Sequence, residues 1–304
     1  MKNKYVEKSL FKEIKQGIPM YVMMAPFFTM FFLLTVIPVL SSVVLSFTDF
    51  NMVQFPKWVG VSNYIRLILE DEVFIIALKN TLVFALITGP VGYILSFVVA
   101  WFINDLSPFA KNLITLLMYS PALCGGMVTI WAYIFAADSK GLLNSILMRL
   151  GLITSPVSFL TDPQYSFTVC IFVIIWSSMG VGFLSLLSGL KSLDKSYFEA
   201  AAIDGISNRW QELYFVTLPQ VGPQLIFSAV MTISSSFAIG GAISGLTGFP
   251  STEYATHTLV LHMTDYATTR FEMGYSATIA VILFGLMWGS WFAIQKALKK
   301  FTAD

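Results

Sequence analysis

Long apolar runs alternate with short polar stretches along this chain. The runs fall at about 18–47, 80–104, 112–137, 166–190, 220–246 and 273–296. Each can cross a hydrocarbon core of roughly 30 Å as a helix, since about 20 apolar residues suffice. The pattern predicts an all-α integral membrane protein with six transmembrane helices. It divides the chain into a leading segment 1–17, a membrane domain 18–296 and a tail 297–304. The first run follows Lys2, Lys4, Lys8, Lys12 and Lys15 and is far longer than the roughly 7–15 apolar residues of a cleavable signal. One polar stretch stands apart from the others, the insert 194–219 between the fourth and fifth runs.

An even number of spans puts both termini on one side. With the termini inside, the inner segments hold twelve of the 18 Lys and Arg residues. The outer loops hold Lys57, Arg66, Lys79, Lys140, Arg149 and Arg270. The positive-inside rule therefore predicts that both termini and the insert are cytoplasmic. Trp58, Tyr64, Tyr133, Tyr165, Tyr254 and Tyr266 fall at the outer edge, as an interfacial belt would. The charged and apolar residues of the first fifteen positions suggest a short amphipathic helix on the inner leaflet, or a solvated tail.

Composition narrows the chemistry. The chain is 56% hydrophobic and 12% charged, against roughly 25% charge in soluble domains. Its net charge of +1 recruits no nucleic acid. Cys124 and Cys170 lie in apolar runs and form neither a disulfide framework nor a metal spacing. His257 and His262 are five apart in the last outer loop, do not share a helical face, and read as solvated. Positions 213–252 contain no Asp, Glu, Lys, Arg or His, which argues against a proton relay at membrane depth. No Lys follows a Gly, so a Walker A loop is absent. No catalytic constellation appears. If the chain moves a solute uphill, a partner supplies the energy.

The insert reads as a helical device. Ser196-x-x-Glu199 has capping-box spacing. Tyr197 to Asp204 make about two turns, and Gly205 is suited to end them in the left-handed region. A second helical piece is expected from Ser207 to Thr217, with Pro219 at the turn into the fifth span. The order Glu199-Ala200-Ala201, Gly205, Val216-x-Leu218-Pro219 resembles the EAA motif of the membrane subunits of bacterial ATP-binding-cassette importers. Ten residues separate Gly205 from Val216, one more than that motif, and an added residue near Asn208 would lengthen the turn between the helices. Asp204-Gly205, Arg209-Trp210, Val59 to Tyr64 and Ala77 to Thr81 look like the carbohydrate branch. The long first span and Phe47-Thr48-Asp49-Phe50 look like the first permease of a maltose- or glycerol-phosphate-type pair.

The resemblance implies a permease subunit in a bacterial cytoplasmic membrane, importing a sugar or oligosaccharide. It implies a second, related permease as heterodimer partner, two cytoplasmic ATPase subunits and an extracytoplasmic solute-binding protein. ATP and Mg would then bind the ATPases and not this chain, which is no enzyme itself. Glu199, Ala200, Ala201, Asp204, Gly205, Leu218 and Pro219 would form the coupling segment, with Glu199 meeting a basic residue in an ATPase cleft. Another neutral or polyol-phosphate solute is the alternative cargo. A secondary transporter or channel working alone is the alternative class.

By the same resemblance, the fourth and fifth spans contribute to the translocation path. Trp176, Ser177 and Ser178 in the fourth and Ser234, Ser235 and Ser236 in the fifth are candidates, with Trp176 as a stacking platform. Serines also simply let membrane helices approach. Gly241-x-x-x-Gly245 and Gly285-x-x-x-Gly289 read as packing faces. Pro38, Pro90 and Pro121 are expected to kink their spans. Tyr119-Ser120-Pro121-Ala122 with Gly125-Gly126 reads as a flexing point.

Overall fold

The computed structural model describes residues 2–123 and 126–302. Cys124 and Gly125, part of the expected flexing point, lie outside the described residues. Among the described residues regular structure is helical, apart from one isolated bridge between Thr48 and Trp58. The α-helices in chain order are α1 (Lys2–Phe31), α2 (Ile37–Leu45), α3 (Ser62–Leu69), α4 (Glu72–Asn104), α5 (Pro108–Leu123), α6 (Met127–Ile134), α7 (Leu142–Arg149) and α8 (Pro163–Ser177). They continue with α9 (Val181–Lys191), α10 (Lys195–Ile203), α11 (Arg209–Glu212), α12 (Leu218–Gln220), α13 (Gly222–Phe237), α14 (Gly240–Thr247), α15 (Leu259–Thr264) and α16 (Met273–Thr302).

Four stretches are long and apolar enough to cross a bilayer: Gly17–Leu45, Glu72–Asn104, Pro163–Lys191 and Met273–Leu298. The number rises to six if each of two bent pairs is one span. These pairs are Pro108–Leu123 with Val128–Ile134, at 96°, and Arg209–Gln220 with Gly222–Phe237, at 82°.

Several boundaries differ from the pattern. The second span begins at Glu72, not near 80, because Asp71 caps it by accepting from the Phe74 N–H at 2.9 Å. Lys79 and Asn80 interrupt the apolar run without interrupting the backbone ladder. The fourth run breaks at Met179–Gly180, between α8 and α9. The expected fifth span, 220–246, is divided between α13 and α14.

Prolines act through the turn before them. A proline has no N–H and its ring clashes with the carbonyl four residues back. π-helical turns at Phe32–Val36 and Leu213–Thr217 precede Pro38 and Pro219. Such a wide turn moves that carbonyl aside. By contrast, α4 continues as one helix through Pro90.

The long helix α4 lies at the centre, against α9 and α13. Its glycines permit close approach. A Cβ on Gly89 would lie 3.1 Å from Ser236 Oγ, and one on Gly92 would lie 2.5 Å from Ser178 Oγ. Three apolar clusters complete the core. One gathers Leu67, Phe74, Leu259, Tyr275 and Ile279 at one end. A second holds Phe84, Cys170, Val173 and Ile243. The third, around Trp101, Phe183, Leu186 and Leu225, lies at the opposite end of α4. The GxxxG readings fare unequally. Gly245 sits against Val128, but Gly241, Gly285 and Gly289 face open space within the chain.

The first span is the exception to this packing. None of its most apolar stretch is buried. It runs along α16 through α2 and is fastened at its C-terminal end. There Asn63 Nδ2 donates to the Ser46 and Thr48 carbonyls, at 3.0 and 2.8 Å. Thr278 Oγ1 also donates to Ser46 O, and the Gly274 N–H donates to Phe50 O.

Candidate functional site: a surface segment, a membrane cavity and a polar cluster

The segment after α9 begins with a different cap from the one the spacing suggests. Asp194, not Ser196, caps α10, its carboxylate accepting from the Ser196 N–H at 3.0 Å. Hydrogen bonds from the backbone and hydroxyl of Ser196 hold that exposed carboxyl below its ordinary range. The other end of α10 closes as a Schellman motif. Gly205 N–H reaches Ala202 O at 3.2 Å and Ile206 N–H reaches Ala201 O at 3.0 Å. Gly205 has φ +90°, which disfavours a side chain although a Cβ there would touch nothing within 4 Å.

Asn208 then caps α11, accepting from the Trp210 N–H at 3.0 Å. The helical path continues through the π turn to Gln220, so Pro219 lies inside a helix. The turn falls at Val221, two residues later than expected, with φ −92° and ψ 15°. A π turn takes up one residue more than an α turn, so Leu213–Thr217 can accommodate the added residue expected near Asn208.

Glu199, Ala200, Asp204, Gly205 and Pro219 are exposed, Leu218 is half-buried and Ala201 is buried. Ile203, Tyr214 and Phe215 also project into open space. Two clefts flank α10. One of about 480 Å³ is lined by Ala200, Ala201, Asp204, Phe215 and Val216. The other, about 530 Å³, is lined by Lys111, Lys191, Lys195, Glu199, Glu212 and Asp105. Arg209 pairs with Asp105, which caps the end of α4.

Midway along the bundle, the two serine clusters meet. Ser177 and Ser178 face Ser235 and Ser236 across a cavity of about 140 Å³ that Thr88 and Thr232 also line. The two threonines escaped the sequence reading. They are single polar residues in apolar runs, and only helix packing turns them to one point. Several hydroxyls donate to carbonyls one turn back, Thr88 to Phe84, Ser178 to Ile175, Ser235 to Thr232 and Ser236 to Ile233. Their oxygen lone pairs stay available as acceptors. Ile174, Ile239 and Ala242 provide apolar wall, and no charged residue lines the space. Neither Trp176 nor Ser234 lines it. The Trp176 ring turns away, edge to face with Trp131 at 5.3 Å.

The far end of α4 holds a polar cluster that the sequence did not announce. Both histidines are buried, not solvated. His262 Nε2 donates to Asp71 Oδ2 at 2.9 Å, and the Tyr275 and Tyr266 hydroxyls donate to the same oxygen at 2.8 and 3.2 Å. Because a carboxylate only accepts, His262 Nε2 carries a hydrogen, and His262 Nδ1 faces His257 Nε2 at 3.4 Å. Burial opposes ionisation of Asp71. The hydrogen bonds from His262, the Phe74 N–H and Tyr275 outweigh it and hold the carboxyl well below the usual range. Burial, followed by the neighbouring His262, lowers His257 to about 4. Around this centre Arg66 pairs with Glu272 and lies 4.3 Å over the Tyr275 ring, while Arg270 lies 4.3 Å over Tyr266.

A bundle of apolar spans around an uncharged polar cavity, with a helical segment standing out at one end, defines a membrane permease. The chain belongs to the family of binding-protein-dependent transport system inner membrane components, whose model matches residues 92–298. It is 31% identical over 275 residues to the probable ABC transporter permease protein YesP of Bacillus subtilis, covering 88% of this chain and 86% of that one. It is 27% identical to the lactose transport system permease protein LacF of Rhizobium radiobacter, over 86% of this chain and 88% of that one. The same fold occurs in the crystal structure of a bacterial ABC transporter that imports the acidic polysaccharide alginate. The TM-score is 0.78 and the identity 22%, over 97% of this chain and 99% of that one.

Proposed function

We propose that this chain is the permease subunit of an ATP-binding-cassette importer for a sugar or oligosaccharide. Counting each bent pair as one, it has six spans in the cytoplasmic membrane, and both termini and residues 194–219 face the cytoplasm. Residues 18–296 are its permease domain, between a leading segment 1–17 and a tail 297–304. A second, related permease, two ATPase subunits carrying ATP and Mg, and an extracytoplasmic binding protein complete the assembly.

One observation carries the reading: the exposed Glu199–Gly205 helix projects from a family member whose membrane cavity holds no ionisable group. Energy has to enter from outside the chain. Ala200 and Ala201 floor a cleft where another surface can come close, and Gly205 turns the chain away from it. The cargo assignment draws on lactose in the name of LacF and on arabinooligosaccharides in that of AraP of Bacillus subtilis. The cavity's serine and threonine oxygens can accept from the hydroxyls of a solute, and at about 140 Å³ it has to widen before a sugar ring can enter.

Purification of the complex with its ATPase subunits tests the coupling role. Glu199→Lys and Gly205→Asp should leave the chain in the membrane and lose the ATPase subunits, ATP-driven uptake, or both. Normal association and uptake in both variants would refute it.

A further inference from the structure

The segment 194–220 is joined covalently to α9 at one end and, through the 82° bend at Val221, to α13 at the other. Leu213 and Leu218 also pack on the apolar cluster around Trp101. A further, polar contact leads to α4. Arg209 forms its ion pair with Asp105, and its guanidinium also lies 5.0 Å over the Trp101 ring. The Trp210 ring stands 5.2 Å from the same indole. Trp101 is buried among Ala100, Ile103, Leu186 and Leu190. Asn208 fixes the start of α11, so that Arg209 and Trp210 are presented together.

Asp105 and Arg209 are both about half exposed, and such pairs add little to stability. Geometry is what this one supplies. A planar guanidinium can grip a carboxylate and lie on an indole at once, which an ammonium cannot do equally well. The gripped helix also spans the whole bundle. From Asp105, α4 runs 33 residues, about 50 Å at 1.5 Å per residue. It passes Thr88 at the cavity wall and ends at the Asp71 cluster.

We propose that Arg209, gripping Asp105 and Trp101, is a positioning residue through which the cytoplasmic segment moves α4 as a lever. Leu213 and Leu218 hold the segment on the bundle by non-directional apolar packing, which does not single out one helix. The polar grip makes the segment shift with α4, so that a displacement at the ATPase side reaches the cavity and the far polar cluster along one helix. This proposal rests on the coupling role given above to Glu199–Gly205.

The test uses the whole complex with its ATPase subunits in nanodiscs. Nitroxide labels are placed at the exposed residues Leu86 on α4 and Phe284 on α16, with Cys124 and Cys170 replaced by alanine. ATP with vanadate should change the label distance in the parent. Arg209→Ala and Asp105→Ala should keep the ATPase subunits and hydrolyse ATP, yet lose most of that change. The charge swap Asp105→Arg with Arg209→Asp should restore it. A full distance change in both single variants, or none in the parent, would overturn the proposal. Loss of the ATPase subunits from Arg209→Ala alone would also overturn it, because Arg209 would then belong to the docking surface. A parent that retains no ATPase subunits would sink the coupling reading, and the lever with it.

Discussion

Removing the Asp71 carboxylate should loosen the end of the bundle where α3, α4, α15 and α16 meet. Its two oxygens accept from the Phe74 N–H, His262 Nε2, Tyr266 and Tyr275. The Asp71 side chain is only 9% exposed, so water cannot easily take its place. Each buried donor left unpaired costs about 1–3 kcal/mol, and a lost N-cap about 0.5–2 kcal/mol. These terms overlap, since the tyrosine hydroxyls can rotate toward other acceptors, and Asp71→Ala should destabilise by roughly 3–6 kcal/mol. Asp71→Asn keeps the cap through its amide oxygen. Its NH₂ can donate to a reoriented hydroxyl but also meets the His262 Nε2–H donor, so His262 has to move its proton to Nδ1 and the loss is about 1–3 kcal/mol. Thermal unfolding of the purified protein in detergent at pH 7 should rank parent, Asn, Ala in falling order. An Ala variant within about 0.5 kcal/mol of the parent, or an Asn variant as damaged as the Ala one, would refute this account of the cluster.

Two further outcomes follow from buried groups. The folded pKa of His257, about 4, lies below the ordinary imidazole value of 6.5, so the unfolded chain binds the proton more readily. Stability should be full above pH 6.5 and fall towards pH 4, with a slope approaching about 1.4 kcal/mol per pH unit. His257→Gln should flatten that slope in melting scans across the range, and an unchanged slope would contradict the assignment. Gly92→Ala would put a Cβ 2.5 Å from Ser178 Oγ and 2.8 Å from Ser178 Cβ, an overpacking worth about 1–3 kcal/mol. Adding Ser178→Gly should recover part of that loss in the same melting assay. A double variant no better than Gly92→Ala would show that the strain lies elsewhere.

The span pattern was legible because membrane burial imposes one rule on many consecutive residues. The hinge chemistry of the insert was legible too, since Gly205 carries a backbone requirement of its own. Capping was harder to assign. Asp194 and Ser196 are both good caps two residues apart, and only the backbone path chooses between them. Trp176 misled for a geometric reason: neighbours on a helix point about 100° apart, so a ring beside the cavity serines can face Trp131 instead. The Asp71 cluster had no local signature at all. Glu70-Asp71-Glu72 reads as a solvated turn, and His262 is 191 positions away. Gly285 and Gly289 have the spacing of a packing face, yet spacing does not say whether a surface of the same chain will cover it.

The way the first span is fastened bears on how the chain folds. Its hydrogen bonds from Asn63, Thr278 and Gly274 to the carbonyls of Ser46, Thr48 and Phe50, and that between the Ser46 and Tyr64 hydroxyls, lie at its C-terminal end. The stretch from Gly17 to Leu45 buries none of its most apolar window. Its contacts with the bundle run through α2, along α16, and through the end from Ser46 to Phe50. During synthesis this helix is the first to enter the bilayer, and it waits there as an autonomous lipid-embedded rod. α16, made last, later packs against its α2 part. The side chains of α1 from Met20 to Phe31 are exposed, so this part of the span adds nothing to the buried core and its surface is left to the bilayer.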